Sequence, residues 1–396
     1  MNNRFFINNI FLTFYIISIN FESYDPLNTG GFFSASKLVG ILYVLSTFFN
    51  FKIFYNIYYF NKKFIYPFAF LIFLLTLVSV FNINFLSDQI FDEAIILNFI
   101  IFIVISNHVI LSSKFFEKSL IYFAIGSLSI CLLLFFDIGK EINSIGRVTF
   151  LNSDLNELGL KLSLGLIIIL NIISKKYKTH KFSSFILLIT IPIFLSTIFE
   201  TGSRSAIIFI ILCLISWSGL YLYQNKIKLS NVFYIMFITS VSGFLIYYYL
   251  ITTEILLERI NTTIGGESFA FGGRLILWQE FSEMLSINPL FGLGLTGYQF
   301  YNIKILGSIN NPHNVLLQLY LYTGVIGLIT YLIFLYRIFK SAFLTFLKTK
   351  NILPIYLLLL IIVFNLGLSG LDEKICWVCL AYIVGKYISE VKISYI

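Results

Sequence analysis

Arg147, Arg204, Arg274 and His313 are the side chains best suited to chemistry in this 396-residue chain. Arg204 sits in the turn Thr201-Gly-Ser-Arg204-Ser205, Arg274 follows Gly272-Gly273, and Arg147 follows Gly146. A guanidinium group binds phosphate oxygens through paired N–H donors and stabilises negative charge developing on a leaving group. His313 lies in Asn310-Asn311-Pro312-His313-Asn314. Asn is a favoured N-cap and Pro is favoured in a first helical turn, so the pattern predicts His313 in such a turn. The helix dipole there opposes the imidazolium, and a general base must be a neutral imidazole. This set suits attack of a hydroxyl on a centre that carries a phosphate leaving group. Plainer readings stand beside it. Arg274 could pair with Glu267 or Glu280, His313 could be a capping or interfacial residue, and Arg147 and Arg204 could reach phospholipid headgroups.

The elements that position these residues are membrane helices. Hydrophobic side chains make up 58% of the chain and charged ones only 12%, with 45 Phe and 25 Tyr. A soluble domain carries about 25% charged residues. The composition therefore excludes a soluble enzyme, a disordered chain and a nucleic-acid binder, despite a net charge of +8. Continuous rather than alternating hydrophobicity excludes a transmembrane β-barrel. Twelve apolar runs are long enough to span: 5–20, 36–51, 64–82, 94–111, 119–136, 158–174, 183–199, 205–223, 231–251, 314–338, 353–369 and 375–390. The expected fold is an all-α polytopic membrane protein forming a single integral membrane domain over 1–396.

Charge then sets the sidedness. With the N-terminus in the cytoplasm, the cytoplasmic segments hold 18 of the 27 basic residues and two acidic ones, a net +16. The opposite side holds 9 basic and 17 acidic residues, a net −8. This follows the positive-inside rule and predicts that both termini are cytoplasmic. Lys bias of this kind suggests a bacterial inner membrane. Met1–Arg4 and the first span imitate a secretory signal, but the exit Ser18-Ile-Asn-Phe-Glu22 offers no small-residue cleavage site, which predicts a retained helix. Cys131, Cys213, Cys376 and Cys379 fall inside spans and read as packing residues. His108 and His180 belong to the cytoplasmic side, leaving His313 as the outward histidine.

Residues 252–313 form one long outward loop between spans nine and ten, which places the site on the outer face. Leu275, Leu277, Trp278, Phe281 and Leu285 mark an amphipathic helix stopped by Asn288-Pro289, with Trp278 at the membrane interface. An anion at its start would explain Arg274 at the positive end of the dipole. The glycines of Pro289-Leu-Phe-Gly292-Leu-Gly294-Leu-Thr-Gly297 mimic a dinucleotide fingerprint, but no strand precedes them, and a tight re-entrant turn fits better. Phe150-Leu-Asn-Ser-Asp-Leu-Asn156-Glu157 leads into span six, where Glu157 and Lys161 are spaced to neutralise each other. Glu22 with Asp25, or Asp92 with Glu93, are alternative divalent-metal ligands. The acidic bias of the outer loops alone would produce both pairs, so no metal is assigned.

A sugar joined to a lipid diphosphate would suit such a site. Guanidinium groups stabilise the departing diphosphate, a base assists the attacking hydroxyl, and no nucleotide is needed. Thr201-Gly-Ser-Arg204-Ser resembles the arginine motif of the bacterial O-antigen polymerase and ligase family, the Wzy-type polymerases and related lipopolysaccharide ligases. Gly273-Arg274…Trp278…Asn288-Pro-Leu-Phe-Gly292-Leu-Gly294, Pro312-His313-Asn314 and Gly324-Val-Ile-Gly327-Leu resemble further motifs of that family, so the likeness spans 146–330. The resemblance implies a GT-C-like fold of about twelve spans with a large periplasmic loop. It also implies metal-independent, inverting glycosyl transfer without a cofactor. By position, Arg204 and Arg274 would hold the diphosphate of an undecaprenyl-linked oligosaccharide, and His313 would act as base or orient the acceptor. Arg147, Asn156 and Asn314 would line the substrate site. The first expectation is the polymerase, with a chain-length regulator as partner. The second is the ligase that passes the glycan to lipid A-core, and a flippase or other transporter is the alternative of another class.

Overall fold

The computed structural model describes residues 5–27, 29, 33–56, 61–82, 92–143, 146–176, 181–225, 274–368 and 370–392, with 236, 240 and 243. At 175–176, 181–186, 224–225 and 274–277 only the backbone is described. The helices before the first strand are α1 (Phe6–Ser18), α2 (Ala35–Phe48), α3 (Phe51–Phe54), α4 (Lys62–Phe81) and α5 (Glu93–Phe135). After the second strand come α6 (Leu155–Lys176), α7 (Lys181–Glu200), α8 (Arg204–Asn225), α9 (Arg274–Ile287) and α10 (Gly294–Leu306). The chain then runs through α11 (Val315–Thr349), α12 (Leu353–Gly367) and α13 (Lys374–Tyr387). α4, α5, α11 and most of α6 and α8 are long and apolar enough to cross a membrane, and shorter apolar helices accompany them. The chain is a multi-pass membrane protein. Apart from 236, 240 and 243, the expected ninth span lies outside the described residues, as do residues 252–273 of the long loop.

Two features before α6 depart from expectation. The fold is not wholly helical, because β1 (Lys140–Ile142) and β2 (Val148–Phe150) form an antiparallel hairpin with Glu141 opposite Thr149. The predicted loop between spans four and five is instead a break at Ser112 within α5 (φ −151°, ψ 60°).

The chain divides into two compact units. The first comprises 1–51, 112–261 and 350–360. Here α1 packs on α2, and Tyr15 stacks on Tyr43 with ring centres 6.0 Å apart. α6 packs on α7 and α8. Gly159 permits the close approach, since a Cβ there would lie 2.6 Å from Cβ of Ser203.

The second unit comprises 52–111, 262–349 and 361–396. α11 packs on α4 and α13 around Phe68, Phe102, Phe334 and Trp377, all nearly inaccessible. α11 is not the uninterrupted span predicted over 314–338. It breaks at Gly324 (φ 62°, ψ −163°), a conformation open essentially to glycine alone. The segment Pro289–Leu293 straps the break. Leu293 N–H donates to Leu321 O at 2.8 Å, and Val325 N–H donates to Pro289 O at 2.9 Å. Close backbone contact is the reason for two glycines: a Cβ on Gly324 would lie 2.3 Å from Leu290 O, and one on Gly292 would lie 2.5 Å from Thr323 N. The glycine cluster thus makes a tight turn as expected, docked against a broken helix.

Gly324→Ala should therefore cost about 1–3 kcal/mol or more, through backbone strain and displacement of the strap. Gly219→Ala is the control, because that α8 glycine has open space around it. A melting temperature from size exclusion after heating should fall for Gly324→Ala and stay level or rise for Gly219→Ala. Equal melting of both variants would show that the break is not a constrained element.

Candidate functional site

In the first unit three separate stretches of sequence converge on Arg147. Its backbone N–H donates to Asn143 Oδ1 (2.9 Å) and its carbonyl accepts from Asn143 N–H (3.0 Å), which closes the β-hairpin. Its side chain is buried, with Nε donating to Thr201 O at 2.8 Å and Nη2 reaching Asn156 Oδ1 at 3.4 Å. Gly202 has φ +59° and its face lies flat on this side chain, a Cβ there falling 3.1 Å from Arg147 Nε. Arg147, Asn156 and the Thr201–Ser205 turn, three predicted features, thus form one structure. Arg204 opens α8 directly beyond that turn and is half-buried, while Ser203 Oγ accepts from Ala206 N–H at 3.3 Å.

Asn156 stands in the first turn of α6, which Asp154 caps by accepting from the N–H groups of Asn156 and Glu157, each at 2.9 Å. One turn further, Lys161 is only 4% exposed. It pairs with Glu157, as its spacing predicts, and also with Glu22 Oε2 at 2.9 Å. Glu22 and Asp25, the acidic pair offered by the sequence as alternative metal ligands, make separate contacts. In the structure Asp25 orders its own loop, accepting from Leu27 N–H (3.2 Å) and the Thr29 hydroxyl (3.0 Å). Two carboxylates around one buried ammonium hold the charge where desolvation would otherwise expel it.

The second unit carries Arg274, His313 and Asn314. Arg274 opens α9, whose extent to Ile287 matches the predicted helix; its side chain lies outside the described residues. Phe281 and Met284 bury one face of α9. The indole N–H of Trp278 donates to Pro312 O at 2.9 Å, bracing the histidine loop. From α10, Asn302 Nδ2 donates to Asn310 O at 2.9 Å, and Asn310 N–H returns to Asn302 Oδ1 at 3.2 Å. The Tyr298 hydroxyl binds the same carbonyl.

His313 itself is placed differently from expectation. The N-cap is Asn314, whose Oδ1 accepts from the N–H groups of Leu316 (3.0 Å) and Leu317 (3.2 Å). His313 thus precedes the helix instead of occupying its first turn. It is half-buried with φ +50°, a left-handed conformation in which His is several-fold enriched among non-glycine residues. Its N–H donates to Asn311 Oδ1 at 2.9 Å. Every neighbour from Asn310 to Asn314 is therefore tied down, and the ring is presented from a fixed loop.

Asp92, the other acid weighed as a metal ligand, accepts from Ile95 N–H at 3.1 Å and so begins α5. Its unforeseen neighbour is Asp372. Burial, and then the Asp92 charge, pushes the Asp372 carboxyl up to about 7, and burial raises Asp92 as well. Asn98 Nδ2 anchors this turn by donating to Asp372 O at 3.1 Å. No local spacing announces Trp278–Pro312, Lys161–Glu22 or Asp92–Asp372. Each joins residues far apart in the chain.

A family model described as O-antigen ligase matches residues 186–332, the stretch that contains Arg204, Arg274, His313 and Asn314. Comparison with curated proteins gives no match.

Lys161→Met leaves two carboxylates facing each other without their ammonium and should cost about 3–5 kcal/mol. Melting of the purified protein should show a large fall, and Glu22→Gln with Glu157→Gln in the same chain should restore most of it. A Lys161→Met melting curve that overlays the parent's would contradict this account of the triad.

Proposed function

We propose that this membrane protein belongs to the O-antigen polymerase and ligase family, whose model matches residues 186–332, and that it is the polymerase. It joins undecaprenyl-diphosphate-linked oligosaccharide repeat units of a surface polysaccharide. The reaction takes place at the periplasmic face of a bacterial inner membrane, with both termini cytoplasmic. In the transfer, a hydroxyl of the acceptor sugar attacks the anomeric carbon of the donor. The bond from that carbon to the diphosphate breaks, and undecaprenyl diphosphate departs. Arg204 and Arg274 stabilise the charge that collects on the diphosphate. His313 takes the hydroxyl proton, while Arg147, Asn156 and Asn314 line the substrate site. The donor supplies its own leaving group, so the reaction proceeds without a metal or cofactor. A chain-length regulator is the expected protein partner.

The observation that carries this reading is the fixed histidine loop, bound by Trp278, Asn302 and Asn311 within the family-matched segment. A base that must meet one hydroxyl gains from such preorganisation. The description of the matched family favours a second reading, the ligase that transfers the glycan to lipid A-core.

Deleting the gene in its host and resolving surface lipopolysaccharide on a gel separates the two. A polymerase deletion removes the ladder and keeps one capped repeat, whereas a ligase deletion abolishes capping and leaves polymer on undecaprenyl diphosphate. His313→Ala should reproduce the deletion at unchanged protein level, with loss of about 100-fold or more in rate. Full activity of that variant would refute the base assignment.

A further inference from the structure

In the second unit an open cavity of about 370 Å³ is lined by Trp278, Asn314, Leu316, Leu317, Tyr320 and Leu328. That volume falls in the range of small-ligand sites, about 300–1,000 Å³. Its lining combines two aromatic rings, three leucines and one amide. The indole is fixed, because its N–H is held by Pro312 O at 2.9 Å. Asn314 Oδ1 is already committed to the helix cap, with Leu316 and Leu317 N–H at 3.0 and 3.2 Å. What Asn314 offers a ligand is therefore its amide N–H₂, a donor. Pro312 and Asn314 are the two chain neighbours of His313, so the cavity borders the histidine loop.

We propose that this cavity is a saccharide subsite that seats the acceptor sugar against Trp278 and Tyr320, with the Asn314 amide donating to a sugar oxygen. A pyranose ring has an apolar C–H face and a rim of oxygens, which matches aromatic and leucine walls beside a single donor. A hydrocarbon chain would use the walls but leave the amide donor unpaired. The lining residue Asn314 directly follows His313 in the chain, and on the glycan-transfer reading this assigns the acceptor, because the sugar whose hydroxyl is deprotonated must lie near the base. This proposal deepens the glycan-transfer reading and rests on it for the identity of the sugar.

The test uses the purified full-length protein in nanodiscs and two probes. One is the free oligosaccharide released by mild acid from the host's lipid-linked repeat unit, and the other is sugar-free undecaprenyl phosphate. The oligosaccharide should change tryptophan fluorescence saturably, and Trp278→Phe should abolish that signal. Tyr320→Leu should weaken oligosaccharide binding about five- to tenfold, as expected for loss of one aromatic contact, and Tyr320→Phe should restore it to within about twofold. In glycan transfer, Tyr320→Leu should raise the acceptor KM by about the same factor with kcat within about twofold. Unaltered oligosaccharide affinity in Tyr320→Leu would overturn the subsite. So would a Tyr320-dependent response to undecaprenyl phosphate alone, which would mark a lipid groove. Tyr320-dependent oligosaccharide binding by a protein that transfers no glycan would retain the subsite and refute the transfer reading. Transfer that is indifferent to Tyr320→Leu would do the reverse.

Discussion

A helix that breaks within an apolar span exposes backbone groups that hydrocarbon cannot satisfy, so protein must satisfy them. At Gly324 the Pro289–Leu293 strap does so, and much of the second unit follows from that one contact. The strap delivers the chain into α10, whose start is fixed on α4: Leu295 N–H donates to Ser79 Oγ, and Thr296 Oγ1 donates to Ser79 O, each at 2.8 Å. α10 in turn presents Tyr298 and Asn302 to the carbonyl of Asn310. The half of α11 before the break carries the Asn314 cap. His313 is held between these two attachments, with Trp278 of α9 as a third brace. The break is thus linked to the candidate base through hydrogen bonds and the short stretches of chain between them.

Charge imposes a parallel constraint on the first unit. An ionised group near an apolar phase is costly unless its partners are built in. Lys161 meets this with two carboxylates, and Arg147 meets it with the Thr201 carbonyl and the Asn156 amide. Because Arg147 grips the carbonyl of Thr201, it fixes the turn from which Arg204 emerges. Holding one guanidinium in the structure sets the position of another.

Local spacing made part of this legible in the sequence. The α9 pattern, the Glu157–Lys161 pair and the turn-forming glycines are all decided within a few residues, where helical period and backbone sterics govern. Membrane character followed from composition alone. The break at Gly324 was hidden because Gly324-Val-Ile-Gly327 is equally compatible with an intact apolar helix, and only the strap shows what the glycine accommodates. His313 was displaced by one cap position, since several Asn residues could begin the helix and tertiary contacts decided among them. Glu22 with Lys161, and Asp92 with Asp372, are joined by folding and left no periodic trace.

On the proposed function, the chain transfers glycan from a lipid diphosphate using its own arginines and histidine. Reconstitution measures this directly, with purified protein in proteoliposomes that contain only undecaprenyl-diphosphate-linked repeat units. With EDTA present and no nucleotide sugar, longer glycans on undecaprenyl diphosphate should accumulate together with free undecaprenyl diphosphate. Elongation that appears only after a nucleotide sugar or a divalent cation is added would contradict the account.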